Sequence, residues 1–326
     1  WTIPEVFIPG KGYLIIWASD KDKVTKDGQL HTNFAISKSG EQITLKAPDG
    51  SIIDEIYVIP LSDDVTYGRA PDGEGDWYVL EYPTPGAQNS KRIATPPIFS
   101  HQGGFYTEAF DLQISSADGG GAKIYYTLDG SEPVPGADGT MEYSGSIPIK
   151  SRKGDPNIVS NIRTSMSWRA PNGEVFKGTV VRAKVVGEEG QESDIVTHTY
   201  FVDPDMYTRY DLPIISIVTD SKNLFDDTIG IYTIRNADQR GGEWERPIHI
   251  EFFEDDGSLG FSQNAGVRIH GGATRNLPQK SLRLYAKSEY DVQDYFEHDI
   301  FPNLTNKVDG KKIKKFKRLV LRNSGN

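Results

Sequence analysis

The chain has 326 residues, of which 37% are hydrophobic and 25% charged, with a formal net charge of -10 and no cysteine. That length supports two or three domains, each able to bury a core, and no run approaches the roughly 20 apolar residues of a membrane span. The acidic balance argues against a sequence-independent nucleic-acid binder, which needs clustered Lys and Arg, and the lack of cysteine removes disulfide frameworks and thiolate zinc sites.

Residues 1–90 read as short β runs between turns: YLIIW at 13–17, EQITL at 41–45, IIDEIYV at 52–58 and WYVL at 77–80. Pro48-Asp49-Gly50-Ser51 is a turn sequence, because Gly50 accepts positive φ and Asp49 bonds its own backbone. The expected arrangement is an antiparallel sandwich. The segments WTIPEVFIPGKGYLIIWASDKD, LHTNFAISKSGEQITLKAPDGSIIDEI, TYGRAPDGEGDW and PTPGAQNS resemble the lamin-tail domain of bacterial surface proteins. That resemblance implies an immunoglobulin-like fold with a binding or spacer role. Members of that family carry strands ahead of the WTIP position, so the expectation is an upstream extension or a neighbouring subunit that completes the sandwich. The chain opens at Trp1 with no methionine and no basic-then-apolar leader.

A polar then Pro-rich joint is expected at 90–97. From 98 the pattern is again β, with runs at 110–114, 123–127 and 179–185. YYTLDGSEP, KGTVVRAKV and the closing Tyr200 resemble the fibronectin-III-like module at the C-terminus of chitobiases and β-hexosaminidases, which implies an accessory domain over 96–202. Asp129 and Glu132 invite a glycosidase reading, but Asp-Gly-Ser at 129–131 has a complete explanation as a turn. The long polar insert SRKGDPNIVSNIRTSMSWRAPNG at 151–173 is of a length usually functional or mobile; its Trp168 either anchors a partner or sugar ring or staples the loop to its own sandwich.

A second joint is expected at 201–212. Its Asp203, Asp205 and Asp211, like Glu254, Asp255 and Asp256 further on, do not follow the spacing of a calcium loop. Beyond it come a buried strand at 214–218, a short helix at 221–225 with Ser221 as N-cap, and a hairpin of 248–253 and 267–270 about Asp255-Asp256-Gly257-Ser258. His249 and His270 alternate with apolar neighbours; a metal on both needs a third ligand, and ordinary hydrogen bonding is the competing account. Val267 and Ile269 alternate with Arg268 and His270, and Leu282 and Leu284 with Arg283 and Tyr285. The pattern predicts two strands joined by the Gly271-Gly272 loop, with Lys280 heading the second. Such a loop lets phosphate approach backbone N–H groups while a following lysine neutralises its charge. The bland alternative is a surface hairpin with solvated Lys280 and Arg283. The basic run at 311–318 alternates with Ile313 and Phe316, as a hairpin arm entering a strand would.

LPIISIVTDSKNLFDDTIGIY, WERPIHIEFFEDDGSLGFSQNAGVRIHGG, PQKSLRLYAK and FKRLVLRNSGN resemble the first half of the spore-coat-protein-H (CotH) kinase family, over 212–326. The family implies an atypical ATP- and magnesium-dependent protein kinase, with metal-binding aspartates further along than Asn326. On that resemblance the nucleotide-binding candidates are Arg268, Gly271, Gly272, Lys280 and Arg322. Where many members read Gly-Asn-Ser-Ser and Pro-Lys-Lys-Ser, this chain has Gly271-Gly272-Ala273-Thr274 and Pro278-Gln279-Lys280-Ser281.

The fold class expected is therefore mainly β: two tandem immunoglobulin- or fibronectin-like sandwiches, then a mixed, β-rich partial kinase-like lobe. The expected role is that of a non-catalytic binding and scaffolding fragment of a secreted or cell-surface bacterial protein. Its partner would be a protein or a component of the cell surface or extracellular matrix, and the longer parent would be a protein kinase as the alternative.

Overall fold

The computed structural model describes every residue except 38, 62–64, 71, 90–92, 120, 189 and 324–326. The chain is mainly β and divides into two compact units, Trp1–Ala94 and Thr95–Asn326. Of the joint expected at 90–97, residues 90–92 lie outside the described residues.

In the first unit the hairpin Glu41–Lys46 with Ile52–Val58 forms about the predicted turn. Gly50 sits at φ +86°, and Asp49 accepts from the Ser51 N–H at 3.0 Å and its hydroxyl at 2.6 Å. A second hairpin pairs Thr66–Arg69 with Trp77–Leu80, and Arg69 reaches across to Asp54 at 2.7 Å. Ile16–Trp17 runs parallel to Leu30–His31, which is also antiparallel to Lys23–Val24. Leu30, Val79 and Leu80 are buried, whereas Ile52, Ile53 and Tyr57 of the first hairpin are exposed.

The second unit begins where Thr95 is fixed by Asp118, through its backbone N–H at 2.7 Å and its hydroxyl at 2.8 Å. Its first five-stranded sheet is ordered Met141–Glu142, Lys123–Thr127, Thr179–Val186, Val196–Val202, Gly104–Tyr106, the last pair parallel. The single run expected at 110–114 serves two short pairs instead, Phe110–Leu112 with Ile147–Ile149 and Ile114–Ser115 with Ile98–Phe99. Leu112, Ile147 and Ile149 from these pairs and Val181, Ala183 and Val185 from the large sheet are all buried.

Of residues 201–212, expected as a joint, Phe201 and Val202 end the strand Val196–Val202 and Met206–Arg209 form a helical turn, with Met206 wholly buried beside Phe105 and Phe253. The second five-stranded sheet follows: Ile214–Val218, Arg246–Phe253, Leu259–Ile269, Leu282–Tyr285 and Arg318–Leu321, every neighbour antiparallel. Alternation gives it two faces. Ile248, Ile250, Ala265, Val267, Leu284 and Leu319 fill a core closed by Ile231, Ala286 and Phe296. His249, Glu251, Phe253, Asn264, Arg268, Arg283 and Tyr285 share the opposite face by register. The helix Ser221–Phe225 forms as expected, but its N-cap is Asp220, whose carboxylate accepts from the Lys222 N–H at 2.9 Å; the longer acceptor arm reaches where the Ser221 hydroxyl would have been expected to act.

The two sheets of this unit are packed together. Phe105 lies within 6.3 Å of Phe253, Thr199 and Ser216 share a hydroxyl hydrogen bond of 2.7 Å, and His198 meets Glu251 at 3.4 Å. Gly103 makes room for that glutamate, since a Cβ there would stand 2.7 Å from Glu251 Oε1.

Candidate functional site

The strands Leu259–Ile269 and Leu282–Tyr285 pair as the alternation predicts, Arg268 opposite Arg283 and Ile269 opposite Leu282. One further hydrogen bond, from the His270 N–H to the Ser281 carbonyl at 2.7 Å, carries the pairing to the loop. Gly271 then takes φ +101°, and a side chain there would collide with the Thr274 hydroxyl, so glycine is required. After it the short 3-10 turn Ala273–Asn276 folds back over the strand end.

The loop frames a cleft of about 430 Å³ lined by Arg240, Gly241, Arg268, His270, Gly271, Gly272, Arg275, Arg283 and Tyr285. No Asp or Glu is among its lining residues. Arg268 lies 4.2 Å from the centre of the Tyr285 ring, and Glu245, almost wholly buried, stands 3.0 Å from it and 2.5 Å from Lys287. Arg283 and Arg240 have no ion-pair or hydrogen-bond partner among the described residues. Arg275 is committed to the backbone: its guanidinium donates to the carbonyls of Gly271, Ala237, Gln239 and Ile269 at 2.6 to 3.0 Å. Burial holds its pKa below the usual arginine value, as it does that of His270, where Arg283, Arg275 and Arg322 add repulsion.

The five residues singled out from the sequence thus fall in different places. Arg268, Gly271 and Gly272 line the cleft. Lys280 does not: it is 4% exposed, and its Nζ donates to the carbonyls of Arg275 at 2.6 Å and Leu277 at 3.1 Å while its backbone N–H donates to the Tyr232 hydroxyl at 2.7 Å. Arg322 is exposed, near enough to His270 to disfavour its protonation. Beside it Asn323 clamps the strand head, accepting from the Ser281 hydroxyl at 2.9 Å and donating to the Gln279 carbonyl at 2.5 Å. The insert contributes as well, because the Thr164 hydroxyl donates to the Pro278 carbonyl at 2.7 Å.

Sequence reasoning passed over Arg240, Arg275 and Glu245. Arg275 and Glu245 are buried charges contributed by irregular segments, where no periodicity signals burial. The histidine pair resolves differently: His249 is buried between Asn264 at 3.0 Å and Ser262 at 2.9 Å, and His270 lies at the cleft. Among the described residues no group of three or more His, Cys, Asp or Glu is placed to hold a metal ion.

Comparison with known proteins bears on the middle of the chain. No curated protein matches it. Among solved structures the chain is similar to the fibronectin(III)-like modules of Clostridium thermocellum CbhA at 11% identity, over 51% of this chain and 78% of that one, with a TM-score of 0.19. Residues 112–200 match the family model described as Fn3 associated, which supports a fibronectin-III-like module there.

Proposed function

We propose that this chain is a non-catalytic binding and scaffolding segment of a secreted or cell-surface bacterial multidomain protein, whose C-terminal sheet corresponds to the nucleotide-side half of a CotH-type lobe. The observation that carries the reading is the packed join within the second unit, where Phe105, Met206 and Phe253 are buried together and Glu251 enters the space left by Gly103. Such a join holds one sheet at a fixed attitude to the next, which suits a presenting scaffold. The Fn3-associated match over 112–200 supports the same role. In the first unit the exposed Ile52, Ile53 and Tyr57 offer apolar surface to an upstream segment, a neighbouring subunit or a protein of the cell surface or matrix.

A second reading rests on the arginine-lined cleft, and makes it the phosphate side of an ATP site in a longer kinase. Arg268, Arg283 and the Gly271-Gly272 loop would meet phosphate oxygens, and Lys280 would add positive field from behind the loop. This donor set fits a phosphate anion. It offers magnesium no carboxylate, so no step through the metal is derived.

Thermal denaturation with and without Mg-ATP separates the two. The scaffold reading predicts a shift of no more than about a degree, since only tight binding to the native state raises the melting temperature. A rise of several degrees that Arg283→Ala abolishes would overturn it in favour of a working nucleotide site.

A further inference from the structure

The insert at 151–173 is held in place from several sides. The Asn157 amide donates to the Gly173 carbonyl at 2.8 Å, Gly154 N–H donates to Glu174 at 2.6 Å, and Thr164 and Ser165 are buried where Thr164 meets Pro278. Yet the ordered turn displays apolar side chains to water: Ile158 is 70% exposed, Val159 62% and Met166 77%. Ile158 and Val159 stand at the start of the 3-10 turn Val159–Asn161, and the Arg163 guanidinium lies 3.7 Å from the Met166 sulfur. Along the insert and its flanks the charge reverses. Lys150, Arg152, Lys153, Arg163 and Arg169 outnumber Asp155 and Glu174 in a chain whose net charge is -10, and Asp155 is already paired with Arg152 at 2.8 Å.

Exposed apolar side chains interspersed in sequence with exposed basic ones have a natural counterpart in the interface of an anionic bilayer, where the apolar groups leave water and the cations stay among phosphates. A protein partner fits less well. A stable protein interface needs roughly 800 Å² of complementary surface per partner, whereas protruding side chains enter a lipid interface without a matching shape.

We propose that the 151–173 insert docks on an anionic lipid surface, with Ile158, Val159 and Met166 entering the headgroup boundary and Lys153, Arg163 and Arg169 supplying the attraction. This inference uses no property of the arginine-lined cleft and stands apart from either reading of it.

Co-sedimentation of the full chain with vesicles tests it. Binding is expected to phosphatidylcholine vesicles that contain phosphatidylserine, to weaken sharply in high salt, and to be absent with phosphatidylcholine alone. The double substitution Ile158→Ser, Met166→Ser should weaken it by about tenfold or more, and Arg163→Gln with Arg169→Gln should reduce it and its salt dependence. Both variants should melt as the parent does. Val308→Ser, which removes a valine 95% exposed on a different turn, should bind as the parent does. No binding to the anionic vesicles, or binding that both insert variants leave intact, would overturn the proposal. So would binding to soluble polyglutamate as tight as to vesicles and equally tight in the Ile158/Met166 variant, which would assign the insert to acidic proteins by charge alone.

Discussion

Lys280 heads the strand after a glycine loop, the position from which lysine meets phosphate in nucleotide enzymes, yet its Nζ is capped by two carbonyls of the 3-10 turn. The sequence shows the position but not the closure, because closure depends on how 273–277 folds back. Lys280→Met should therefore destabilise the second unit by about 1–3 kcal/mol, the cost of stranding buried carbonyls, as measured by urea denaturation; a variant as stable as the parent would contradict this role. Local turn chemistry was far more legible. Asp-Gly-Ser occurs at 49–51, 129–131 and 256–258, and each time the aspartate accepts from the serine N–H at 2.9 to 3.0 Å while glycine takes positive φ. These bonds span two residues, so the sequence contains all their parts. In the first and last, the serine hydroxyl holds the carboxyl below its ordinary range. His270 gives the pH prediction. Burial, then Arg283, Arg275 and Arg322, lower its pKa, so the unfolded chain takes up the proton first. Its contribution is complete above the ordinary histidine value of about 6.5 and is lost as pH falls from there toward the lowered folded value. NMR titration should find His270 below the ordinary value, and Arg283→Ala should raise it; no change in that variant would contradict the assigned proximity.

Short apolar-rich runs bounded by polar or turn residues are legible to the residue: Ile52–Val58, Lys123–Thr127, Ile214–Val218 and Leu282–Tyr285 all lie where the sequence puts them. Leu259–Ile269 was read only from Val267 onward, because its first half, LGFSQNAG, carries a Gln263 that is buried and donates to the Gln293 carbonyl at 3.2 Å. A buried amide satisfied by a segment thirty residues away leaves no periodic trace. The basic run at 311–318 becomes part of a cross-strand ladder, Lys312 with Asp299, Lys315 with Glu297 and Lys317 with Asp294, beside the pairing of Phe296 with Phe316. Lys312, Lys315 and Lys317 are thus matched by acids, and Arg318 lies over the Tyr285 ring. The join between the two five-stranded sheets was not legible at all, since Phe105 and Phe253 are 148 positions apart. Phe253→Ala should cost about 3–5 kcal/mol there, and Gly257→Ala should also destabilise, because its Cβ would stand 2.7 Å from the Phe105 ring at a φ of +80°. Losses under 1 kcal/mol for both in chemical denaturation would contradict the packed join.

Across the molecule the chain carries an acidic surplus, so the cleft at the Gly271-Gly272 loop, lined by arginines and by no acid, is an exception to that charge rather than a sample of it. An anion drawn there meets Arg283 and Arg240 without displacing a carboxylate, and among the cleft's lining residues no carboxylate stands ready to hold a metal. The scaffold reading proposed above therefore expects no more than weak anion binding and no phosphoryl transfer, and it stands or falls on the second. The most direct measurement is a single-turnover assay of the full chain with γ-labelled Mg-ATP, followed for label on protein and for released phosphate. The account predicts neither above the rate in buffer; transfer or hydrolysis by the purified chain that disappears in Arg283→Ala would contradict it.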